Sequence, residues 1–227
     1  MSPPTRPRPT RRSSVKLTVT TFVSLDGVMQ SPGGPEEDRS NDFDLGGWLV
    51  PYADEDMGAI VGGWFAGADA LLLGRRTYDI MAAYWPDVTD PEEGKINVLP
   101  KYVASRSPRT LTWQNSHLLE GDLATAVTEL KSRPGRELQV HGSGRLIESL
   151  LRSELVDELR LLTYPVIVGK GQRLFETGTS PAAWRLTDVK STGNGVIAHT
   201  YQYAGKPAIG TFEVGADGKE QNVLAAG

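Results

Sequence analysis

Arginine, glycine, serine and threonine recur together at a few points of this 227-residue sequence, a mixture suited to holding a phosphorylated ligand. Leu71-Leu72-Leu73-Gly74-Arg75-Arg76-Thr77-Tyr78 carries the fullest version. Three leucines without polar alternation suit a strand buried on both faces, and Gly74 lets the backbone turn into a helix running through Tyr78, Met81 and Ala82. Free N–H groups at a helix N-terminus attract anions, and Arg75, Arg76 and Thr77 add charge-assisted hydrogen bonds. An ordinary β-α connection with surface arginines has the same local composition, so company decides the reading. Ser105-Arg106 follows a short strand at 101–104, Gly142-Ser143-Gly144-Arg145-Leu146 follows a strand at 137–141, and Ser24-Leu25-Asp26-Gly27 closes the first strand. Ligands of open α/β sheets bind at the carboxyl ends of strands, so these corners suit one extended anion, such as a dinucleotide with a 2′-phosphate. The glycine corner lacks the third glycine of the usual dinucleotide fingerprint, since Ile147 stands there.

Other chemistries find less material. There is no cysteine, which removes disulfides, thiolate metal sites and a cysteine nucleophile, and makes a reducing cytoplasm the expected compartment. His117, His141 and His199 lie far apart without metal-ligand spacing, so no metal site is expected. Ser143 is not in a nucleophile elbow, and His141 reads as a strand-end histidine satisfied by hydrogen bonding. Asp54, Glu55 and Asp56 open a helix. There they cap its dipole, or, if partly buried, supply a proton; Asp54 and Asp56 are the candidates for that catalytic role. Trp48 is either an aromatic wall for a flat heterocycle or plain core. Arg160 and Lys170 are read as substrate-phosphate ligands or simply as solvated cations.

The elements that must position these residues follow from periodicity. Leu17, Val19, Thr21 and Val23 alternate as a first strand; Met57, Ile60, Val61 and Trp64 or Phe65 mark a helix over 54–66 with Asp54 as N-cap. A second apolar stripe, Leu123, Val127 and Leu130, follows the cap Asp122, and a third, Leu146, Ile147, Leu150 and Leu151, follows the glycine corner. Strands are expected at 110–113, 159–163, 184–190 and 196–203, the last two joined through Gly193-Asn194-Gly195, a hairpin signal, with one more at 211–214. Alternating strands and helices followed by a hairpin predict a three-layer α/β/α fold whose central sheet is mostly parallel with an antiparallel C-terminal edge. The domain is expected at 16–204, after a disordered Pro/Arg-rich leader (1–15) and before a tail (205–227). Net charge is −4, which argues against nucleic-acid binding by the body, and no nucleic-acid partner is expected; the alternative, that the arginine-rich leader binds nucleic acid, predicts salt-sensitive binding lost on deleting residues 1–14. Arg11-Arg12 invites an export reading, but the alternating segment after it is no signal helix, and no apolar run is long enough to span a membrane.

Taken in order, Val23-Ser24-Leu25-Asp26-Gly27, Gly74-Arg75-Arg76-Thr77-Tyr78, Ser105-Arg106, Gly142-Ser143-Gly144-Arg145-Leu146, and Leu155-Val156-Asp157-Glu158-Leu159 with Pro165-Val166-Ile167-Val168-Gly169-Lys170-Gly171 resemble the dihydrofolate-reductase-like family. Within it, the branch containing the C-terminal reductase domain of bacterial riboflavin biosynthesis proteins is the most similar, over about 16–203. The resemblance implies a homodimeric reductase that passes a hydride from NADPH to a C=N or C=O of a small pterin-like or pyrimidine heterocycle. It places phosphates at Gly74 to Thr77, the adenosine 2′-phosphate at Ser105 and Arg106, the pyrophosphate at Gly142 to Leu146, and the nicotinamide beside Ser24, Asp26 and Gly27. Reduction of 5-amino-6-(5-phosphoribosylamino)uracil is one alternative; a non-catalytic nucleotide or flavin binding module, taking FMN, is another. Met81 stands where riboflavin-pathway reductases usually carry an aspartate, and Gly142-Ser143 replaces their paired glycines, so the resemblance speaks to the cofactor more than to the substrate.

Overall fold

The computed structural model describes residues 15–90 and 93–225. The basic leader, apart from Val15, lies outside the described residues. An eight-stranded sheet is built from β1 (Lys16–Ser24), β2 (Ala70–Gly74), β3 (Lys101–Ala104), β4 (Ser116–Leu118), β5 (Glu137–His141), β6 (Glu158–Tyr164), β7 (Trp184–Ser191) and β8 (Ile197–Tyr203). Its order is β4-β3-β2-β5-β1-β6-β8-β7. The strands from β4 to β6 are parallel, and β8 and β7 close the other edge antiparallel.

The leucine run behaves as an unalternated strand should. Leu71 and Leu73 pack with Tyr78, Val103 and Trp113, while Leu72 joins Val19, Val140 and Ile147 in a second cluster, so β2 is buried on both faces. Four helices cover the sheet: α1 (Glu55–Phe65), α2 (Arg75–Tyr84), α3 (Leu123–Ser132) and α4 (Gly144–Arg152). Asp54 and Asp122 cap α1 and α3 by accepting the backbone N–H of Met57 and Thr125. Val127 and Leu130 of α3 and Ile147 and Leu150 of α4 pack into one cluster with Leu17, Val19 and Leu159, whereas α1 and α2 serve the clusters around Tyr164 and Tyr78.

No residue of α1 is buried, because the sheet beneath part of it is polar. Glu137, Gln139 and His141 share one face of β5 and lie in register with Lys16, Thr18 and Thr20 of β1, which in turn lie beside Glu158 and Arg160 of β6. Arg160 donates to both Glu137 carboxylate oxygens at 2.8 and 3.0 Å, and Lys16 reaches Glu158 at 2.9 Å. Opposite charges compensate one another under the helix.

Two sequence expectations are corrected. Residues 110–113 form no strand: Trp113 is buried, its backbone N–H donates to the Tyr78 hydroxyl, and sheet pairing begins only at β4. Anchoring the indole in the core takes this stretch out of the ladder. The segment read as a tail with one strand carries a full antiparallel hairpin, β9 (Gly210–Val214) with β10 (Glu220–Leu224), every residue of which is exposed.

Candidate active site

The corners after β2 and β5 touch. Gly74 donates its N–H to Ser143 Oγ at 2.9 Å, and that hydroxyl donates to Thr77 Oγ1 at 2.6 Å. A Cβ on residue 74 would stand 2.9 Å from Ser143 Oγ, so glycine is required by close approach. Gly142 and Ser143 are both left-handed, at φ +54 and +68. For a serine that conformation is uncommon, and the two hydrogen bonds hold it. Neither α2 nor α4 has a side-chain N-cap, so both helices present unclaimed backbone N–H groups at the same edge of the sheet.

These corners line one cleft of about 2170 Å³. Gly74, Arg75, Arg76, Thr77, Ser105, Arg106, Gly142, Ser143, Gly144, Arg145 and Leu146 all border it. A single small-molecule site occupies roughly 300–1,000 Å³, so the space suits two ligands side by side. The arginines are not equally available. Arg76 bonds Asp38 at 2.8 Å and the Ser40 hydroxyl at 3.0 Å, and Arg75 pairs with Asp79 at 3.7 Å. Arg106 and Arg145 are exposed and form no ion pair among the described residues.

Eight sequence candidates are placed elsewhere. Ser24, Asp26 and Gly27 sit at the end of β1 but border no part of the cleft. Ser24 Oγ donates to Asp26 at 2.6 Å, and the carboxylate accepts the N–H groups of Val168 and Gly169 at 3.1 and 2.9 Å. Burial pulls the Asp26 pKa up, but the Ser24 hydroxyl and these backbone donors outweigh it and bring it down to about 2. This turn fastens the 166–173 segment; the residues just after it, Met29 to Pro32, border the cleft instead. Trp48 is buried, donates its indole N–H to the Gln30 carbonyl at 2.8 Å, and meets Tyr164 edge-on, so it is core and no wall of the cleft. Asp54 and Asp56 also lie away from the cleft: Asp54 accepts from Met57 at 2.8 Å and Asn194 at 3.0 Å, and Asp56 from Gly193 at 3.3 Å. Both tie the start of α1 to the β7–β8 turn. Arg160 is consumed by Glu137 and Glu158, and Lys170 by Asp44.

The cleft also has a side that the motifs did not announce. Met57, Gly58, Val61, Gly62 and Phe65 of α1 border it, together with Thr20 and His141. An added Cβ at Gly58 or Gly62 would meet nothing within 4 Å, so these glycines leave space where a side chain would intrude. Their spacing of four residues on one helix was the available signal. Phe65 stacks on His141 with centroids 4.4 Å apart and planes 4° from parallel. Burial, helped by the nearby Arg160 guanidinium, pushes the His141 pKa down to about 3, which leaves the ring neutral.

Comparison with known proteins gives the fold relatives and a family. The chain is similar to the uncharacterized protein YyaP of Bacillus subtilis (strain 168), 27% identical over 188 residues, covering 81% of this chain and 92% of that one. A structure from Shewanella sp. PV-4, provisionally assigned to riboflavin biosynthesis, matches with a TM-score of 0.65 and 21% identity, over 84% of this chain and 99% of that one. The Thermotoga maritima diaminohydroxyphosphoribosylaminopyrimidine deaminase/5-amino-6-(5-phosphoribosylamino)uracil reductase matches at TM-score 0.57 and 12% identity, over 84% of this chain and 57% of that one. Dihydrofolate reductase from Enterococcus faecalis, complexed with NADP(H), matches at 0.54 and 13%, over 83% of this chain and 96% of that one. The RibD C-terminal domain model matches residues 15–198. With its mostly parallel sheet and its corners gathered on one edge, the chain belongs to the RibD C-terminal domain family.

Proposed function

We propose that this protein is an NADPH-dependent reductase of a small planar heterocycle, of the pterin or pyrimidine class. The observation that carries the reading is the joined pair of corners, Gly74 to Thr77 and Gly142 to Leu146, with two uncapped helix N-termini facing one cleft. That donor set fits a pyrophosphate: backbone N–H groups carry the recognition, and the glycines let a phosphate approach where a Cβ would stand. Arg106 and Arg145, free of ion pairs among the described residues, suit the additional phosphate that distinguishes NADPH from NADH. Membership of the RibD C-terminal domain family, and the NADP(H) bound to the Enterococcus faecalis neighbour, favour the same cofactor.

When bound, NADPH supplies a hydride. The protein's part is to hold the acceptor against it and to exclude water. The apolar side of the cleft, Met57, Val61 and Phe65 around Gly58 and Gly62, offers a flat surface for an aromatic ring. No carboxylate of α1 reaches the cleft, so neither Asp54 nor Asp56 is placed to supply the proton that completes the reduction. The riboflavin-pathway aminopyrimidine and reduced pterins are the substrates to try first.

Titration with NADPH, NADH and FMN, read by thermal shift, followed by an NADPH-oxidation assay over these heterocycles, tests the reading. NADPH should bind at least tenfold more tightly than NADH, and Arg106→Ala should abolish that preference. Tight FMN binding with no response to NADPH would replace the reductase by a flavin-binding module.

A further inference from the structure

The buried polar layer under α1 does more than neutralise itself; it sets the chemistry of one cleft atom. Gln139 Nε2 donates to the Trp64 carbonyl at 2.6 Å and to Glu137 Oε1 at 2.5 Å. The first is a carbonyl and the second a carboxylate held by Arg160, so both are acceptors and the amide nitrogen must face them. The amide oxygen is thereby turned toward His141, 2.9 Å from Nε2. An acceptor at that distance requires the proton on Nε2. The remaining ring nitrogen, Nδ1, then carries a lone pair.

Nδ1 makes no hydrogen bond among the described residues, is not among the unpaired polar atoms sealed in the interior, and belongs to a ring that borders the cleft. The ring cannot tilt away, because Phe65 lies flat against it and Gln139 holds its far edge. Arg160 and Glu137 are the charged groups behind it, and the adjacent Thr20 hydroxyl is buried without a partner. The ring stands where the apolar face of α1 meets the glycine corner, at the heterocycle's side of the cleft.

We propose that His141 is a specificity-determining residue whose Nδ1 accepts a hydrogen bond from an amino or ring N–H group on the edge of the heterocycle, selecting substrates that present a donor there over those that present only acceptors. The inference rests on the reductase reading for the identity of the cleft. It adds an atom that reads the substrate. A carbonyl oxygen at that edge would leave two lone pairs facing each other, a methylated nitrogen would set a methyl group against the lone pair, and either would lose the bond.

Two measurements test this. Long-range 15N–1H correlation of the imidazoles in the full-length protein should show His141 with Nε2 protonated and Nδ1 bare between pH 5 and 8; a protonated Nδ1 overturns the proposal without any variant. Pterin, which has an amino and an N–H donor, and 1,3-dimethyllumazine, the same bicycle with neither, are then titrated against parent and His141→Phe. The parent should favour pterin by about tenfold, the worth of one neutral hydrogen bond, and His141→Phe should lose that preference while binding NADPH as before. A preference that survives in His141→Phe is steric and overturns the proposal, as does failure of the parent to bind either ring. Failure of NADPH to bind the parent would instead overturn the reductase reading, leaving the tautomer and the pterin preference to stand on their own.

Discussion

Ser143 is where the molecule's two anion corners are joined, and replacing it separates conformational strain from hydrogen bonding. Ser143→Ala keeps the left-handed backbone at φ +68 but removes the bond from Gly74 N–H and the bond to Thr77 Oγ1. At about 0.5–1.5 kcal/mol for each, the loss is about 1–3 kcal/mol. Ser143→Gly loses the same two bonds, yet a residue without Cβ regains about 1 kcal/mol because the left-handed conformation no longer strains it. Glycine should therefore be the more stable of the two variants by about that amount. For a domain of this size each kcal/mol moves the melting temperature by roughly 2–4 °C, so the alanine variant should melt roughly 2–12 °C below the parent. Urea unfolding measures the stabilities, and NADPH titration of the same samples measures the site. Both variants should bind NADPH more weakly, since neither ties the β2 corner to the β5 corner. An alanine variant as stable as the parent, or more stable than the glycine variant, would refute the account of the joint.

Three further outcomes are expected. His141 titrates near 3 when folded and near 6.5 when unfolded, so the unfolded chain takes up the proton first as pH falls. Stability is complete above pH 6.5 and declines by at most about 1.4 kcal/mol per pH unit down to pH 3; His141→Phe should flatten that slope in urea titrations run at several pH values. Asp54→Ala removes the N-cap of α1 and its hold on the Asn194 N–H, and should cost about 0.5–2 kcal/mol in urea unfolding with turnover unchanged; a collapse of turnover in a folded variant would restore Asp54 to the chemistry. A chain ended after Lys206 loses β9 and β10, every residue of which is exposed, and should keep the parent's melting temperature and NADPH affinity within error.

Much of the site was legible because short-range rules write it locally. A glycine between a buried strand and an arginine-bearing helix start can be read in eight residues, and the strand-end rule turns separate corners into one ligand-sized edge. The Ser24 to Gly27 turn satisfies the same rule and still borders no part of the cleft. Which side of a strand end a turn serves depends on its partners, here the Val168 and Gly169 N–H groups supplied from 142 and 143 residues further on. The carboxylates Asp54 and Asp56 carry acid–base chemistry in their type, but the β7–β8 turn claims them.

The sequence by itself determined the α/β alternation, the doubly buried β2, the caps of α1 and α3, and the three corners that border the cleft, since each depends on residues within a few positions of one another. Only the tertiary structure decided that Ser143 locks Gly74 and Thr77 together, that glycines of α1 open the far side of the cleft, and that a glutamine two residues before His141 dictates which of its nitrogens meets a ligand. Those outcomes turn on contacts between strands and helices far apart in the chain. A hydrogen-bond network assigns protons by who faces whom, and facing is a property of the folded molecule.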